Sequence, residues 1–275
     1  MERGFDLVIE PDSRDKNFWK DLWVYRELFY FFAWRDILVR YKQTAIGIAW
    51  SIVRPLVTMI IFTVVFGHIA KLPSHNTPYP VLVFAAMLPW QFFANALTES
   101  SNSLVTNANL LAKVFFPRII VPVSAVIVTV VDFLISCAIL GALLAWYHYI
   151  PDWRLIFLPL FMLMTFFAAL GAGLWLSAVN VKYRDFRFIV PFIVQVGLYI
   201  SPVGFSSEVV PEKWRLLYSL NPMVGIIDGF RWSLSDGNLQ MYWPGVAVSA
   251  SLILLVFMCG INYFLKVERS LADII

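Results

Sequence analysis

Residues 119–147 read IIVPVSAVIVTVVDFLISCAILGALLAWY and carry a single charge, Asp132. An α-helix rises 1.5 Å per residue, so about 20 apolar residues cross a hydrocarbon core of roughly 30 Å. This stretch exceeds that length and points to an all-α integral membrane protein. The whole chain agrees. Of its 275 residues 60% are hydrophobic and only 14% charged, and the mean hydropathy is +0.74. A soluble domain carries about 25% charged residues because water must wet its surface. The principal solvent here is lipid.

Working outward, charge-poor runs predict five further spans: Thr44 to Phe66 (broken only by Arg54-Pro55), Pro78 to Leu97, Leu155 to Val181, Phe188 to Ser207 and Leu239 to Leu265. Six spans over 44–265 put both termini on one side of a single transmembrane domain, 1–275. With the termini inside, sixteen of the 21 Lys and Arg residues fall on that side. The positive-inside rule therefore predicts cytoplasmic termini, with a segment 1–27 ahead of the membrane part and a tail 266–275 behind it. The opening MERGFDLVIEPDSRDKNF lacks the basic-then-apolar layout of a cleaved leader, so it is expected to remain inside.

Two segments depart from a plain bundle. In LFYFFAWRDILVRYKQ, residues 28–43, Arg35, Asp36, Arg40 and Gln43 fall within an arc of about 140° at 100° per residue, and aromatic and aliphatic residues fill the rest. This predicts an amphipathic helix in the inner membrane interface, with Trp34 and Tyr41 at headgroup level; a plain cytosolic lead-in is the alternative. Residues 208–238 are too polar to span and are broken at Asn221-Pro222. Two short helices forming a re-entrant outer-leaflet hairpin are expected there, against the alternative of a loop outside the membrane.

Catalytic and metal signatures are missing from the chain. No Gly is followed by Lys, so a Walker-type phosphate loop is excluded. His68, His75 and His148 fall at predicted outer ends and do not cluster. Cys137 and Cys259 sit in separate apolar runs and read as small hydrophobes. A net charge of +3 from scattered basic residues leaves no nucleic-acid footprint. Neither catalytic nor metal-ligating residues are assigned, and no cofactor is expected on this chain. Asp132, near the centre of the third span, is costly unless it faces protein or water; a lumen or helix-pairing role stands beside a purely structural one.

RDILVRYKQTAIGIAWSIVRPL (35–56), NANLLAKVFFPRIIVPVS (107–124), VNVKYRDFRFIVPF (179–192), SPVGF (201–205) and NPMVGIIDGFRW (221–232) together resemble the ABC-type polysaccharide export permeases. Those are the membrane subunits that move lipid-linked O-antigen, capsule or teichoic-acid chains across the bacterial inner membrane. The resemblance runs in order over nearly the whole chain. It implies a homodimer paired with two copies of a separate ABC ATPase, on which ATP and Mg are expected. It also implies a gate at residues 28–43, a docking loop, and a lumen wide enough for a sugar chain.

The residues supply parts for each role. An apolar knob flanked by charge suits a partner groove, which nominates Asn107, Leu110, Leu111, Lys113, Phe115, Phe116, Pro117 and Arg118 for ATPase docking; a plain turn is the alternative. Guanidinium forks suit phosphate oxygens, which nominates Arg35, Arg40 and Arg54, with Lys42, Trp34 and Tyr41, for the gate and the carrier's pyrophosphate. Positive-inside anchoring explains the same arginines. Rings that stack on sugar faces nominate Trp50, Phe62, Phe66, Trp90, Phe93, Phe192 and Tyr199, with Asp132, for the substrate path, although aromatic side chains also face lipid. Two other readings stay open: an ABC permease for a drug or lipid, and a membrane enzyme acting on lipid-linked sugars.

Overall fold

A computed structural model describes residues 20, 22–42, 47–73, 77–114, 116–235 and 239–268, with backbone alone at 47 and 48. Expectations placed on 1–19, Gln43, Thr44, Phe115, 236–238 and 269–275 lie outside them. The described residues form helices and connecting turns: α1 Arg26–Lys42, α2 Gly47–Phe62 running on as a π-helical turn Thr63–Ile69, α3 Tyr79–Thr106, a single turn α4 Ala108–Leu111, and α5 Ile120–Trp146. A 3-10 turn Trp153–Phe157 leads into α6 Leu158–Lys182, followed by α7 Phe186–Ile200, α8 Glu212–Tyr218, α9 Pro222–Leu234 and α10 Trp243–Glu268. Five helical stretches are long and apolar enough to cross a membrane: Ala49–Ile69, Tyr79–Thr106, Ile120–Trp146, Trp153–Lys182 and Trp243–Glu268.

The predicted fifth span, Phe188 to Ser207, is helical over only part of its length. Its helix stops at Ile200 after 15 residues, or about 22 Å. Pro202 is the cause: its ring forces the preceding residue out of the helical region, and Ser201 sits at φ −81°, ψ 151°. Other elements replace the lost helical bonds. Tyr218 Oη donates to the Ile200 carbonyl at 2.7 Å, and the buried Arg231 guanidinium donates to the carbonyls of Val203, at 2.9 Å, and Phe205. The predicted break at Asn221-Pro222 is present, with the Asn221 side chain capping α9 by accepting from the Met223 N–H at 3.0 Å.

The second span runs past its predicted end at Leu97 to Thr106. Its last turns are polar yet buried: Ser100 and Ser101 are fully covered, and Asn180 on α6 donates to the Ser101 carbonyl at 2.9 Å. α3 is the central post of the bundle. It packs on α5, α6 and α9, and 78% of its apolar window is buried, against 11% for α2. Small residues bring α6 and α10 together. A Cβ on Gly260 would stand 2.1 Å from the Gly171 carbonyl oxygen, a separation only glycine permits. At the middle of the bundle Phe133 (α5) makes edge contacts with Phe92 (α3) and Phe230 (α9), with ring centroids 5.7 and 6.4 Å apart.

Candidate functional site

Four helices each turn one stripe toward a shared open cavity of about 930 Å³. From α2 come Ser51, Arg54, Pro55, Thr58 and Phe62; from α3, Gln91, Asn95, Thr98 and Glu99. Thr129, Asp132 and Ser136 come from α5, and Pro191, Val194, Gln195 and Leu198 from α7. The spacings of three, four and seven residues are those of one helical face. Each helix brings polar side chains to a lining that is otherwise largely apolar, with Trp50, Met87, Leu88, Trp90, Phe92 and Phe133 in it.

A charge cluster holds α1 against this wall. Arg40 Nη1 donates to Asp132 Oδ2 at 2.7 Å, and its Nη2 donates to Glu99 Oε1. Tyr41 Oη donates to the other Asp132 oxygen. Burial first, and then that hydrogen bond, push the Tyr41 hydroxyl up to about 12, so it remains a donor. Asp132 is the thirteenth residue of the 27 in α5, about 18 Å along from Ile120. Phe32, two turns before Arg40, packs on Phe116 just ahead of α5, with centroids 5.4 Å apart. The two contacts lie well separated along α5, so α1 runs beside the first half of that helix and carries Arg40 to its middle.

The other gate residues divide. Arg35 is occupied, donating to Asp36 Oδ1 at 2.8 Å and to Asn107 Oδ1 at 3.0 Å, with its guanidinium over the Phe32 ring. Arg54 lines the cavity and forms no ion pair among the described residues. Trp34 is half-exposed and stacks on Tyr30, while Lys42 is exposed.

Among the aromatic residues nominated for the path, Trp50, Phe62 and Trp90 line the cavity. Phe93 packs beside Trp90 and Phe66 beside Phe62, behind the lining. Phe192 and Tyr199 are 66% and 68% exposed and lie outside the lining. Sequence reasoning missed the amides Gln91, Asn95 and Gln195. The signal was available, because a polar residue recurring at helical spacing inside an apolar span marks an inward face.

In the 107–118 loop, Leu111 and Phe116 are buried inside this chain, 6% and 4% exposed, and Pro117 is buried with them. Phe116 is therefore no projecting knob: it fills the space under α1. Asn107 caps α3 and holds Arg35, and Leu110 is partly buried on the core. The Arg118 N–H donates to Glu268 Oε1 at 2.7 Å, fastening the loop to the end of α10. Asn109, Ala112, Lys113 and Val114 are the exposed members among the described residues of the loop.

The sequence profile described as ABC-2 type transporter matches residues 27–235. A Klebsiella pneumoniae protein named O-antigen export system permease protein RfbA is 27% identical over 242 residues, covering 88% of this chain and 92% of its own length. A Myxococcus xanthus protein of the same name is 26% identical over 241 residues, covering 86% and 92%.

Proposed function

The chain belongs to the ABC-2 type transporter family, and from that premise we propose that it is the membrane subunit of an ATP-driven exporter of lipid-linked polysaccharide. The polymer is of O-antigen, capsule or teichoic-acid type, in keeping with the relatives named as O-antigen export permeases over most of their length. The observation that carries the reading is the cavity, in which four helices set amides, hydroxyls and charged groups among apolar and tryptophan faces.

The finer assignment is a homodimer in the bacterial inner membrane, both termini cytoplasmic, with two ATPase subunits beneath. Two cavity-lining helices favour a second copy as the closing wall: α2 is the least covered of the candidate spans, and α7 is buried only at Val190. The short α7, prolonged by the turn at 201–205, completes a sixth crossing. The α8–α9 pair forms the re-entrant element, for which the deep contact between Phe230 and Phe133 speaks.

In this reading α1 is the gate and Arg40 its latch. An incoming pyrophosphate meets Arg54 first. It then exchanges with Glu99 for the Arg40 guanidinium, since phosphate oxygens accept the same fork of donors as a carboxylate. ATPase contact falls to Lys113 and Val114.

Reconstitution tests the whole reading. Proteoliposomes holding this chain and its cognate ATPase should move a lipid-linked polymer across the bilayer only with ATP. Equal movement without the chain, or none with both subunits and ATP, overturns it.

A further inference from the structure

Resting on the export reading, we infer that this cavity is built for an uncharged, hydroxyl-rich glycan and selects against polyanionic chains. The formal charges on its wall cancel, Arg40 and Arg54 against Glu99 and Asp132. Three of the four are spent on one another in the latch, leaving Arg54 as the cation without a carboxylate partner among the described lining residues. The other polar lining groups are neutral. Gln91 and Asn95 follow one another at one helical turn on α3, and Gln195 comes from α7. An amide offers donors and an acceptor together, which is what a sugar hydroxyl offers in return. Trp50 and Trp90 add apolar faces for the ring's C–H side.

Size makes the charge argument bite. At about 930 Å³ the cavity approaches the upper end of the roughly 300–1,000 Å³ usual for small-molecule sites, so it holds more than one sugar unit at a time. A uronate or phosphodiester polymer would bring in several anions together, each stripped of water between low-dielectric walls. The one guanidinium without a carboxylate partner among the described lining residues compensates one of them. A neutral glycan brings no such cost.

The test uses the full exporter in cells that have no other export route. They are supplied with a lipid-diphosphate-linked polymer of either neutral hexose or hexuronate, matched in length. Surface polymer is measured as a fraction of total polymer, normalised to the amount of this chain in the membrane. The neutral polymer should be exported at least tenfold better. Equal export, or better export of the uronate, overturns the inference and leaves the exporter reading standing; export of neither overturns the exporter reading itself. A Gln91→Lys, Gln195→Lys double variant that still reaches the membrane should shift the ratio toward the uronate. An unchanged ratio would mean that these amides do not set the selectivity and would likewise overturn the inference.

Discussion

Arg40 faces two carboxylates with one guanidinium, and the arrangement predicts unequal effects when its members are changed. The side chains of Arg40 and Asp132 are 31% and 21% exposed, between a surface pair and a buried one. Surface pairs contribute roughly 0–1 kcal/mol, and breaking a buried pair costs about 3–5 kcal/mol. Arg40→Ala should cost about 1–3 kcal/mol, because it leaves Asp132 and Glu99 without their shared cation. Asp132→Asn should cost less, since Glu99 still holds Arg40 and the amide oxygen still accepts from Tyr41. Thermal unfolding of the purified chain in detergent checks the order, and the reverse order would show that the pair does not hold α1. At the same scale, Arg54→Lys keeps the positive charge and the topology but loses the planar fork, so export should fall while membrane insertion is unchanged. Export at the parental rate would reduce Arg54 to a membrane anchor.

Among elements, the 107–118 loop separates packing from docking. Phe116→Asp would bury a charge against Phe32, and the chain should lose stability by several kcal/mol and accumulate poorly. Val114→Asp alters a side chain 53% exposed, so the chain should fold normally and lose the ATPase in a pull-down. Normal ATPase recovery with Val114→Asp would place the docking surface elsewhere. The α6–α10 contact gives a second comparison. Gly260→Ala forces a Cβ to within 2.1 Å of the Gly171 carbonyl and should cost about 1–3 kcal/mol by pushing the helices apart. Gly141→Ala, with nothing within 4 Å of the new Cβ, should instead be neutral or stabilising by up to about 1 kcal/mol. Melting temperatures of the two variants decide it.

For the whole molecule, the division of labour predicts that the purified chain hydrolyses no ATP and that hydrolysis appears on adding the ATPase subunit. Activity of the isolated chain, with contaminating ATPases removed, would count against a two-subunit machine. The same assembly explains why so much of the surface is apolar: Ile60, Ile61, Phe192 and Tyr199 are each more than half exposed, outward positions for lipid or a second copy.

Span-length apolar runs, a single mid-span acid, and the break at Asn221-Pro222 are local features, because hydrophobic transfer and backbone geometry act residue by residue over one helix. From them alone follow the all-helical membrane class and the approximate limits of most spans. Partnership is not local. That Asp132 meets Arg40 and Tyr41, 92 and 91 residues away, depends on how α1 lies against α5, and no periodicity within either helix records that. The same holds for Phe116, which reads as an exposed knob in sequence and is covered once α1 crosses above it. It holds in part for Arg231, whose buried guanidinium donates to the carbonyls of Val203 and Phe205 in the turn that follows Pro202. Burial and pairing are properties of contacts between elements, and only the tertiary structure decided them.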